Sequence, residues 1–447
     1  MKPVYKAGDK HQLVNYRPIS LLPVISKILE KIIHERLYKF FCDNEILSVN
    51  QFGFRPKHST EQAVITYINN ITKNLENGLS SITVFLDLSR AFDTVNFEIL
   101  LRKLHSYGVQ GLANDLIKSY LSNRSQSVLA NGFSSTYLPI TSGVPQGSIL
   151  GPLLFLIYVN DLDRVSQNLS FILYADDTTV TVSGSNPLML TELLNEELSK
   201  LNTWFIANRL SLNVSKTKYQ FYSNVDKLPS SDLIKISESK IERVSTFKFL
   251  GVIIDEKLKF DAHYNKVSNN VSKSIFLLNK VKNILTTSQL LHLYNAFLLP
   301  HLLYCCTVWG LNYDTRCNKL LLMQKKAICI ILNLPFLGHT SSHFKEHSIL
   351  KFNELVKYKS LVIMFKFLTG KVSDHVRKMF TLNPRNTYLR RSSPFFVPFS
   401  NRNYRLFTLP FSGPKLWNSF FSFDDTENLP TLGTFKKLIK LKLINDY

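Results

Sequence analysis

The most constraining feature of this sequence is a pair of adjacent aspartates, Asp176 and Asp177, placed between two apolar runs. The run before them, 171–175, reads FILYA, and the run after them, 178–182, reads TTVTV. Two β-prone runs joined by a two-residue acidic junction predict a tight hairpin with both carboxylates at its tip. An acidic turn is also common simply because water solvates it, so the hairpin alone does not establish a catalytic site.

A third aspartate extends the same pattern. Asp87 follows the apolar run 82–86, which reads ITVFL. Two strand-borne carboxylate clusters are what a two-metal phosphoryl-transfer site requires, because each Mg²⁺ takes hard oxygen ligands. Asp87 also offers one metal a carboxylate together with the main-chain carbonyl of Leu88. The pattern predicts two Mg²⁺ ions, or Mn²⁺ in their place, near Asp87, Asp176 and Asp177.

Three further side chains have the chemistry of nucleotide binding. Phe92 is large enough to lie under a nucleotide sugar and to clash with a 2′-hydroxyl, although an aromatic residue is also typical of a core. The guanidinium of Arg55 fits phosphate oxygens bidentately. Lys216 carries a charge that neutralises, or protonates, a pyrophosphate leaving group. A solvated basic loop is the alternative interpretation for Lys216.

The segment 142–152, SGVPQGSILGP, holds three glycines and two prolines just before a predicted helix. Glycine lets the backbone approach a ligand, and a helix N-terminus directs N–H groups toward it. Such a segment is often only a loop, but its position between the two acidic strands favours a role in ligand binding.

Periodicity and turn residues predict an α+β fold with a few antiparallel strands backed by helices. The predicted helices cover 20–41, 59–77, 97–107, 111–121, 188–209, 265–284, 287–300, 317–333, 347–368 and 432–443, with one more after Pro152. Further strands are predicted within 126–141, around Asn131-Gly132, and within 247–254. Four prolines predict that 390–415 is mostly extended.

The 447-residue chain has a formal net charge of +21, spread along its length. Such a distribution favours a long polyanion, RNA or DNA, over an anionic membrane surface. No apolar run reaches the length of a membrane span, and the first residues lack the apolar core of a signal peptide. Five cysteines without a CxxC pair exclude a zinc knuckle. We therefore expect an intracellular protein that is not secreted. The sequence does not indicate its oligomeric state.

Seven motifs, taken in order, resemble the reverse transcriptases of non-LTR (LINE-type) retrotransposons, particularly the jockey-like kind. They are NYRPISLLP at 15–23 with KILEK at 27–31, FGFR at 52–55, DLSRAFD at 87–93, GVPQGS at 143–148, YADD at 174–177, NVSKTK at 213–218 and FLG at 249–251. The resemblance covers about 1–335, and the order of the motifs makes it specific.

The resemblance implies a right-hand polymerase with fingers and palm in 1–260, a helical thumb in 261–335, and a C-terminal region, 336–447, of unknown role. The implied activity is that of an RNA-directed DNA polymerase. Its partners would be an RNA template, a DNA primer or nicked target DNA, and dNTPs. Action in the nucleus or the cytoplasm follows from the same resemblance.

The resemblance also assigns roles at the metal site. Asp87 and Asp176 would ligate both Mg²⁺ ions, and Asp177 would support them. Lys216 would serve as the acid near the pyrophosphate.

Four further residues receive roles at the nucleotide by the same motifs. Phe92 would be the sugar gate, and Arg55 would touch the triphosphate. Gln146 and Gly147 would contact the incoming nucleotide and the template.

Two alternatives stay open from the sequence. Elements of this kind usually carry an N-terminal endonuclease, and the sequence starts within the predicted fingers, so a truncated or domesticated polymerase part is expected. One alternative is a polymerase of the same architecture that acts like a group II intron maturase. The other is a catalytically decayed element that binds nucleic acid without copying it.

Overall fold

The structure is a computed structural model that describes residues 1–224, 234–312, 314–335, 338–384, 393–400 and 403–445. The chain divides into two compact units. Unit 1 comprises Met1–Pro56, Ile82–Tyr219 and Val225–Arg243, and unit 2 comprises Lys57–Ser81, Gln220–Asn224 and Val244–Tyr447. The predicted division into 1–260, 261–335 and 336–447 stays a prediction.

The helices lie close to most of the ranges that periodicity predicts. They are α1 Val24–Asp43, α2 Thr60–Glu76, α3 Phe97–Ser106, α4 Leu112–Leu121, α5 Leu150–Tyr158, α6 Pro187–Ala207, α7 Asp261–Val281, α8 Thr287–Leu293, α9 Leu299–Leu303, α10 Cys306–Trp309, α11 Asp314–Ile331, α12 Ser341–Glu346, α13 Phe352–Leu368, α14 Asp374–Arg377, α15 Asn403–Leu406, α16 Leu409–Phe420, α17 Phe423–Glu427 and α18 Leu432–Asn445. A π-helical turn, Tyr294–Leu298, joins α8 to α9.

The strands are mostly short. They are β1 Lys2–Tyr5, β2 Tyr16–Ile19, β3 Ser80–Leu86, β4 Ser125–Gln126, β5 Leu129–Ala130, β6 Phe133–Ser134, β7 Leu138–Pro139, β8 Ser170–Tyr174, β9 Asp177–Gly184, β10 Lys218–Tyr222, β11 Lys235–Ile236, β12 Ser239–Lys240, β13 Glu242–Arg243, β14 Thr246–Phe249 and β15 Val252–Asp255. The predicted hairpin at Asn131-Gly132 is confirmed, because it joins β5 to β6 with a positive φ at both turn residues.

A five-stranded sheet with the order β13-β10-β3-β9-β8 positions the acidic residues. β3 lies at its centre, and all seven of its residues are buried. The hydroxyls of Thr83 and Thr181 hydrogen-bond across β3 and β9 at 2.9 Å. A buried strand of β-branched and apolar residues suits this central position, because both of its faces are covered.

Helix α1 presents its apolar stripe outward. Ile25, Ile28 and Leu29 are exposed, whereas the buried positions include Glu30 and Phe41. The helical period of the sequence therefore predicts the helix correctly, but not which face is buried.

In unit 2, the C-terminal region shares a core with the helices before it. Helix α13 packs against α10, α11, α16 and α18. Two of its aromatic residues stack on neighbouring helices: Phe352 stacks on Trp309 of α10 at 5.6 Å between ring centroids, and Phe365 stacks on Phe435 of α18 at 4.2 Å. Within the described residues, no helix has both the length and the apolar character that crossing a membrane requires.

The prediction that 390–415 is mostly extended is wrong in its second half. Residues 393–400 lie outside helices, but α15 and the start of α16 fall within the predicted range, whereas 390–392 and 401–402 lie outside the described residues. Pro410 occupies the first turn of α16, where its missing N–H removes no helical bond. Pro414 lies inside α16 and has no N–H to donate to the Pro410 carbonyl, so the helix continues there with one hydrogen bond fewer and is held by its packing against α13.

Because the His263 side chain in unit 2 is buried, we expect acid to lower the free energy of unfolding of the protein. His263 on α7 is buried and accepts a hydrogen bond at Nδ1 from the Ile253 N–H at 3.2 Å. Burial, with help from Lys266, lowers its pKa to about 4. In the unfolded chain the ordinary value is about 6.5, so between about pH 6.5 and 4 the unfolded state binds a proton that the folded state rejects.

The free energy of unfolding is therefore expected to fall by about 3 kcal/mol from this histidine as the pH drops through that window. Urea unfolding at pH 6.5, 5.5 and 4.5 measures it, and the fluorescence of Trp309, whose ring lies 5.1 Å from the imidazole, reports on the site. His263→Gln cannot titrate and should flatten the response. Equal pH slopes for both proteins would contradict the prediction.

Candidate active site

The acidic hairpin forms as an antiparallel pair of β8 and β9. Tyr174 pairs with Asp177, which leaves Ala175 and Asp176 as the two-residue turn. Ala175 has a φ of 58°, in the left-handed region that costs a residue with a Cβ about 1–2 kcal/mol. The prediction that both aspartates lie at the tip is therefore wrong for Asp177, which is the first residue of β9, because its pairing with Tyr174 closes the ladder there.

The three predicted acids share one electrostatic environment. Asp87 follows β3, which is the neighbour of β9 in the sheet. Burial raises the pKa of Asp87, Lys216 and Lys6 lower it, and Asp176 raises it further. Loss of hydration raises the pKa of Asp177 to about 6, with contributions from Asp176 and Asp87 against Lys6. The charge of Asp176 thus acts on both Asp87 and Asp177, and the charge of Asp87 acts on Asp177, so the three acids interact electrostatically in the folded chain.

Lys216 lies beside this acidic group. Its Nζ is 3.9 Å from Oδ2 of Asp87, and its side chain is 64% exposed. The main chain holds it there, because the Asn213 N–H donates to the Asp87 carbonyl at 2.8 Å and the Lys216 N–H donates to the Asn213 carbonyl at 3.1 Å. The Asp87 N–H donates to Oγ1 of Thr217 at 3.3 Å. The turn 213–217 is thus bonded to both main-chain groups of Asp87.

The residue after Asp87, Leu88, is held by pairing of the backbone. Leu88 is buried and forms an isolated bridge with Leu212, in which the Ser89 N–H donates to the Ser211 carbonyl at 2.9 Å. This bridge uses the carbonyl of Asp87 and not that of Leu88, whose predicted role toward a metal stays a prediction.

Lys6 is a site residue that the sequence analysis misses. Its charge opposes the raised pKa values of both Asp87 and Asp177. A single lysine near the start of a strongly basic chain has no distinguishing pattern, so no sequence signal could have identified it.

Phe92 is held in an aromatic group. Its ring stacks on buried Phe155 with 4.4 Å between centroids and meets the edge of the Phe54 ring at 6.3 Å. Phe92 itself is half-buried, whereas Phe54 is exposed and has a φ of 53°. A bulky residue in the left-handed region is uncommon and marks a constrained segment. The ring of Phe92 is therefore fixed in place, as a sugar gate requires.

The glycine-rich loop is fastened to the segment after Asp87. Nε2 of Gln146 donates to Oδ1 of Asp93 at 2.9 Å, and the Gln146 carbonyl accepts from the Ser20 N–H at 2.7 Å. Gly147 has a φ of 114°, and a Cβ there would lie 2.9 Å from the Ser20 carbonyl oxygen. Any other residue would be strained and would push this loop away, so Gly147 fixes the course of the loop.

The side chain of Arg55 is hydrogen-bonded within unit 1. Its Nη1 donates to the Ser48 carbonyl and, at 3.4 Å, to the Gln51 carbonyl. The side chain therefore stabilises the turn 48–51. Its predicted contact with a triphosphate stays a prediction.

Glu30 caps the helix that follows the glycine-rich loop. Its carboxylate is 1% exposed, and Oε2 accepts from the N–H groups of Ile149 at 2.7 Å and Leu150 at 3.3 Å. Oε1 accepts from the Tyr120 hydroxyl at 3.1 Å. A carboxylate at a helix N-terminus is favoured by the helix dipole and satisfies N–H groups that have no partner within the helix. No sequence signal could have identified Glu30, because it lies off the apolar stripe of its helix, where an acidic residue is ordinarily exposed.

Glu30→Ala is expected to lower the free energy of unfolding by about 1–3 kcal/mol for each buried N–H that it leaves without a partner. Thermal and urea unfolding measure this effect. Glu35→Ala is the matched control, because Glu35 lies on the same helix with an exposed side chain. Equal stability of the two variants would contradict the capping role.

The carboxylates at this site are suited to Mg²⁺ when a substrate supplies some of the other oxygen ligands. Within the described part of the chain, no group of three or more His, Cys, Asp or Glu residues is arranged to hold a metal ion. Mg²⁺ commonly takes one or two carboxylates and completes its octahedral shell with water and substrate phosphates. Asp87 and Asp176, in an environment with excess negative charge, fit this mode, whereas a preformed site made only of protein ligands is not seen.

Comparison with known families identifies the class of protein. Residues 6–254, more than half of the chain, match the family described as reverse transcriptase (RNA-dependent DNA polymerase). The chain belongs to the reverse transcriptase family, which confirms the fold class predicted from its motifs, the α+β right-hand polymerase.

The relatives agree with the jockey-like resemblance. The chain is 29% identical over 349 residues to the RNA-directed DNA polymerase from mobile element jockey of Drosophila melanogaster, covering 75% of this chain and 38% of that protein. It is 30% identical over 336 residues to the Drosophila funebris protein of the same description (73% and 36%). It is 28% identical over 367 residues to the probable RNA-directed DNA polymerase from transposon X-element of Drosophila melanogaster (80% and 40%). The chain thus spans about two fifths of the length of these relatives.

Among solved structures, the chain is similar to apo telomerase from Candida tropicalis. The sequence identity is 13%, the TM-score is 0.40, and the alignment covers 76% of this chain and 59% of that chain. A similarity of this size is too weak to transfer residue roles.

Proposed function

We propose that this chain is the RNA-directed DNA polymerase of a non-LTR retrotransposon. In this proposal it extends a DNA primer, or the end of a nicked target DNA, on an RNA template with dNTPs. The observation that supports it most is the shared electrostatic environment of Asp87, Asp176 and Asp177 in a chain of the reverse transcriptase family. Such a concentration of carboxylates destabilises the isolated protein and suits the binding of divalent cations.

In the proposed site, Asp87 and Asp176 hold two Mg²⁺ ions, or Mn²⁺, with Asp177 and the Leu88 carbonyl in support. When bound, the ions supply the charge that activates the primer 3′-hydroxyl and stabilises the departing pyrophosphate. Lys216 is proposed to donate a proton to that leaving group. Its exposed side chain next to Asp87 gives it the reach for this role.

The remaining residues orient the nucleotide. Phe92, fixed by Phe155, forms the floor under the sugar and excludes a 2′-hydroxyl. Gln146 and Gly147 lie on a loop that is fastened to Asp93 and Ser20, and they contact the base pair that forms. The proposed contact between Arg55 and the triphosphate uses guanidinium N–H groups beyond those that bond to the 48–51 turn.

The net charge of +21 supports binding of the template and primer through their phosphates, with little reading of base sequence. The proposed place of action is inside the cell, in the nucleus or the cytoplasm, where an RNA template and dNTPs are present.

A homopolymer assay tests the proposal. The purified chain is mixed with a poly(rA) template, an oligo(dT) primer, Mg²⁺ and labelled dTTP, and template–primer binding is measured in parallel by fluorescence anisotropy. Incorporation that depends on template, primer and metal is the expected result. Binding without incorporation would instead indicate a decayed element that acts as a nucleic-acid-binding protein. A chain that neither binds nor incorporates would refute both functions.

A further inference from the structure

A short segment of unit 1 runs along the outer edge of the acidic hairpin. The Phe52 N–H donates to the Leu173 carbonyl at 2.7 Å, and the Leu173 N–H donates to the Asn50 carbonyl at 2.9 Å. Gln51 and Leu173 thereby form an isolated parallel bridge. β8 therefore has a partner on each side, β9 on one and the segment 50–53 on the other.

The side chain of Gln51 reaches from this segment to the catalytic turn. Gln51 is 3% exposed, and its Oε1 accepts from the Gly53 N–H at 2.8 Å and from the Ala175 N–H at 3.1 Å. Ala175 precedes Asp176 and has the left-handed φ of 58°. A buried hydrogen bond contributes about 0.5–1.5 kcal/mol, which is comparable to the cost of this conformation for a residue with a Cβ. The Gln51 amide thus offsets the strain in the turn.

Gly53 adds a second contact to the same peptide. A Cβ at position 53 would lie 2.5 Å from the Ala175 nitrogen and 3.1 Å from the Tyr174 carbonyl carbon. The φ of Gly53 is not positive, so the glycine is required by the close approach of the two backbones and not by its own conformation. Gln51 and Gly53 therefore hold the turn by a hydrogen bond and by packing.

The segment that carries Gln51 is itself fixed. The Ser48 N–H donates to Oδ1 of Asn160 at 2.8 Å, and Nδ2 of Asn50 donates to Oδ2 of Asp163 at 2.8 Å. Arg55 donates to the Ser48 carbonyl from the other side. A clamp can hold a strained turn only if it is rigid, and this polar network supplies the rigidity.

We propose that Gln51 is a positioning residue that sets the conformation of the Ala175–Asp176 turn and thereby the location of the Asp176 carboxylate. This inference rests on the proposed polymerase function. Gln51 does not touch the reacting groups; it acts through the turn. Misplacement of a catalytic group by about 1 Å can cost on the order of 10²-fold in rate, so the effect should appear in kcat.

Gln51→Met tests the proposal, because methionine is close to glutamine in shape but lacks the acceptor oxygen. In the poly(rA)/oligo(dT) assay, kcat should fall about 10- to 100-fold, whereas the KM for dTTP and the template–primer Kd should change by less than about threefold. Gln62→Met is the matched control. Gln62 is also buried and accepts from the Ser373 N–H at 2.8 Å within unit 2. The Gln62→Met variant should lose thermal stability but keep the kcat of the wild-type chain.

Two further variants keep the test decisive if Gln51→Met folds poorly. Gly53→Ala keeps the amide but pushes a methyl group against Ala175, so it should lower kcat in the same way. In an Ala175→Gly background, the kcat loss caused by Gln51→Met should shrink several-fold, because glycine adopts the positive φ without the strain that Gln51 offsets. A purely structural defect would not respond to a change in the turn.

The outcomes separate the inference from the function on which it rests. If the wild-type chain incorporates no nucleotide, the proposed function and the inference both fail. If the wild-type chain is active but Gln51→Met and Gly53→Ala retain the kcat of Gln62→Met, the inference alone fails. A rise in KM or Kd with unchanged kcat would also overturn the positioning role.

Discussion

Asp176→Asn is expected to abolish primer extension, with kcat reduced on the order of 10³-fold or more. Asparagine keeps the size of the side chain but replaces a carboxylate with a neutral amide, which is a poor ligand for Mg²⁺. Catalysis of phosphoryl transfer consists mostly of placing charge, so the loss of one carboxylate cannot be compensated by its neighbours. Single-turnover incorporation of dTTP on poly(rA)/oligo(dT) measures the effect.

The same variant should still bind template and primer. It removes a negative charge from an acidic region, so affinity for a polyanion should be kept or slightly increased at a fixed salt concentration. Asp115→Asn is a suitable control, because Asp115 is an exposed residue in the first turn of α4, on the same unit. Extension by Asp176→Asn at the rate of this control would refute the assignment of Asp176.

Phe92→Ala is expected to admit ribonucleotides, with the preference for dNTPs over rNTPs reduced on the order of 10²-fold. The Phe92 ring is fixed by its stack on Phe155, so in the proposed role it does not move aside for a 2′-hydroxyl. Alanine opens that space and leaves Asp87, Asp176 and Asp177, the proposed metal ligands, unchanged, so the rate with dNTPs should fall much less than the discrimination between dNTPs and rNTPs. Competition between dTTP and UTP on the same template–primer measures the ratio.

Phe54→Ala separates the sugar gate from the aromatic group around it. It removes the edge contact with Phe92 but keeps the stack on Phe155, so the loss of discrimination should be smaller. Unchanged sugar discrimination in Phe92→Ala would exclude Phe92 as the gate.

The parts of the fold that follow local rules could be predicted from the sequence. The strand before Asp87, the hairpin around Asp176 and the turn at Asn131-Gly132 are marked by apolar runs and turn residues that act over a few positions. The pairing that places Asp177 in β9 differs from the prediction, because a ladder can extend to the last residue before a two-residue turn. The helix over Leu409–Phe420 differs from the predicted extended segment, because Pro410 lies in the first turn, where proline is tolerated, and packing against α13 holds the helix despite the hydrogen bond lost at Pro414.

The support of the site could not be predicted in this way. Gln51 and Ala175 are 124 positions apart, and Glu30 and Ile149 are 119 positions apart. Both polar side chains lie in segments whose patterns look ordinary, and each gains its role only from the backbone N–H group that folding brings beside it. Arg55 shows the opposite case, since its basic side chain suggests a phosphate ligand and the structure has it bonded to the 48–51 turn.

By itself, the sequence determined the class of this protein, because seven motifs occur along it in the order that is typical of reverse transcriptases. It also predicted three acids for the site, Asp87, Asp176 and Asp177, because each lies next to an apolar run of β-prone residues. Only the tertiary structure decided how those acids are held: by the buried amide of Gln51, the close approach of Gly53 and the charges of Lys6 and Lys216. The physical reason is that local periodicity fixes helices and strands, whereas hydrogen bonds and charge interactions between distant segments depend on a packing that no local pattern encodes.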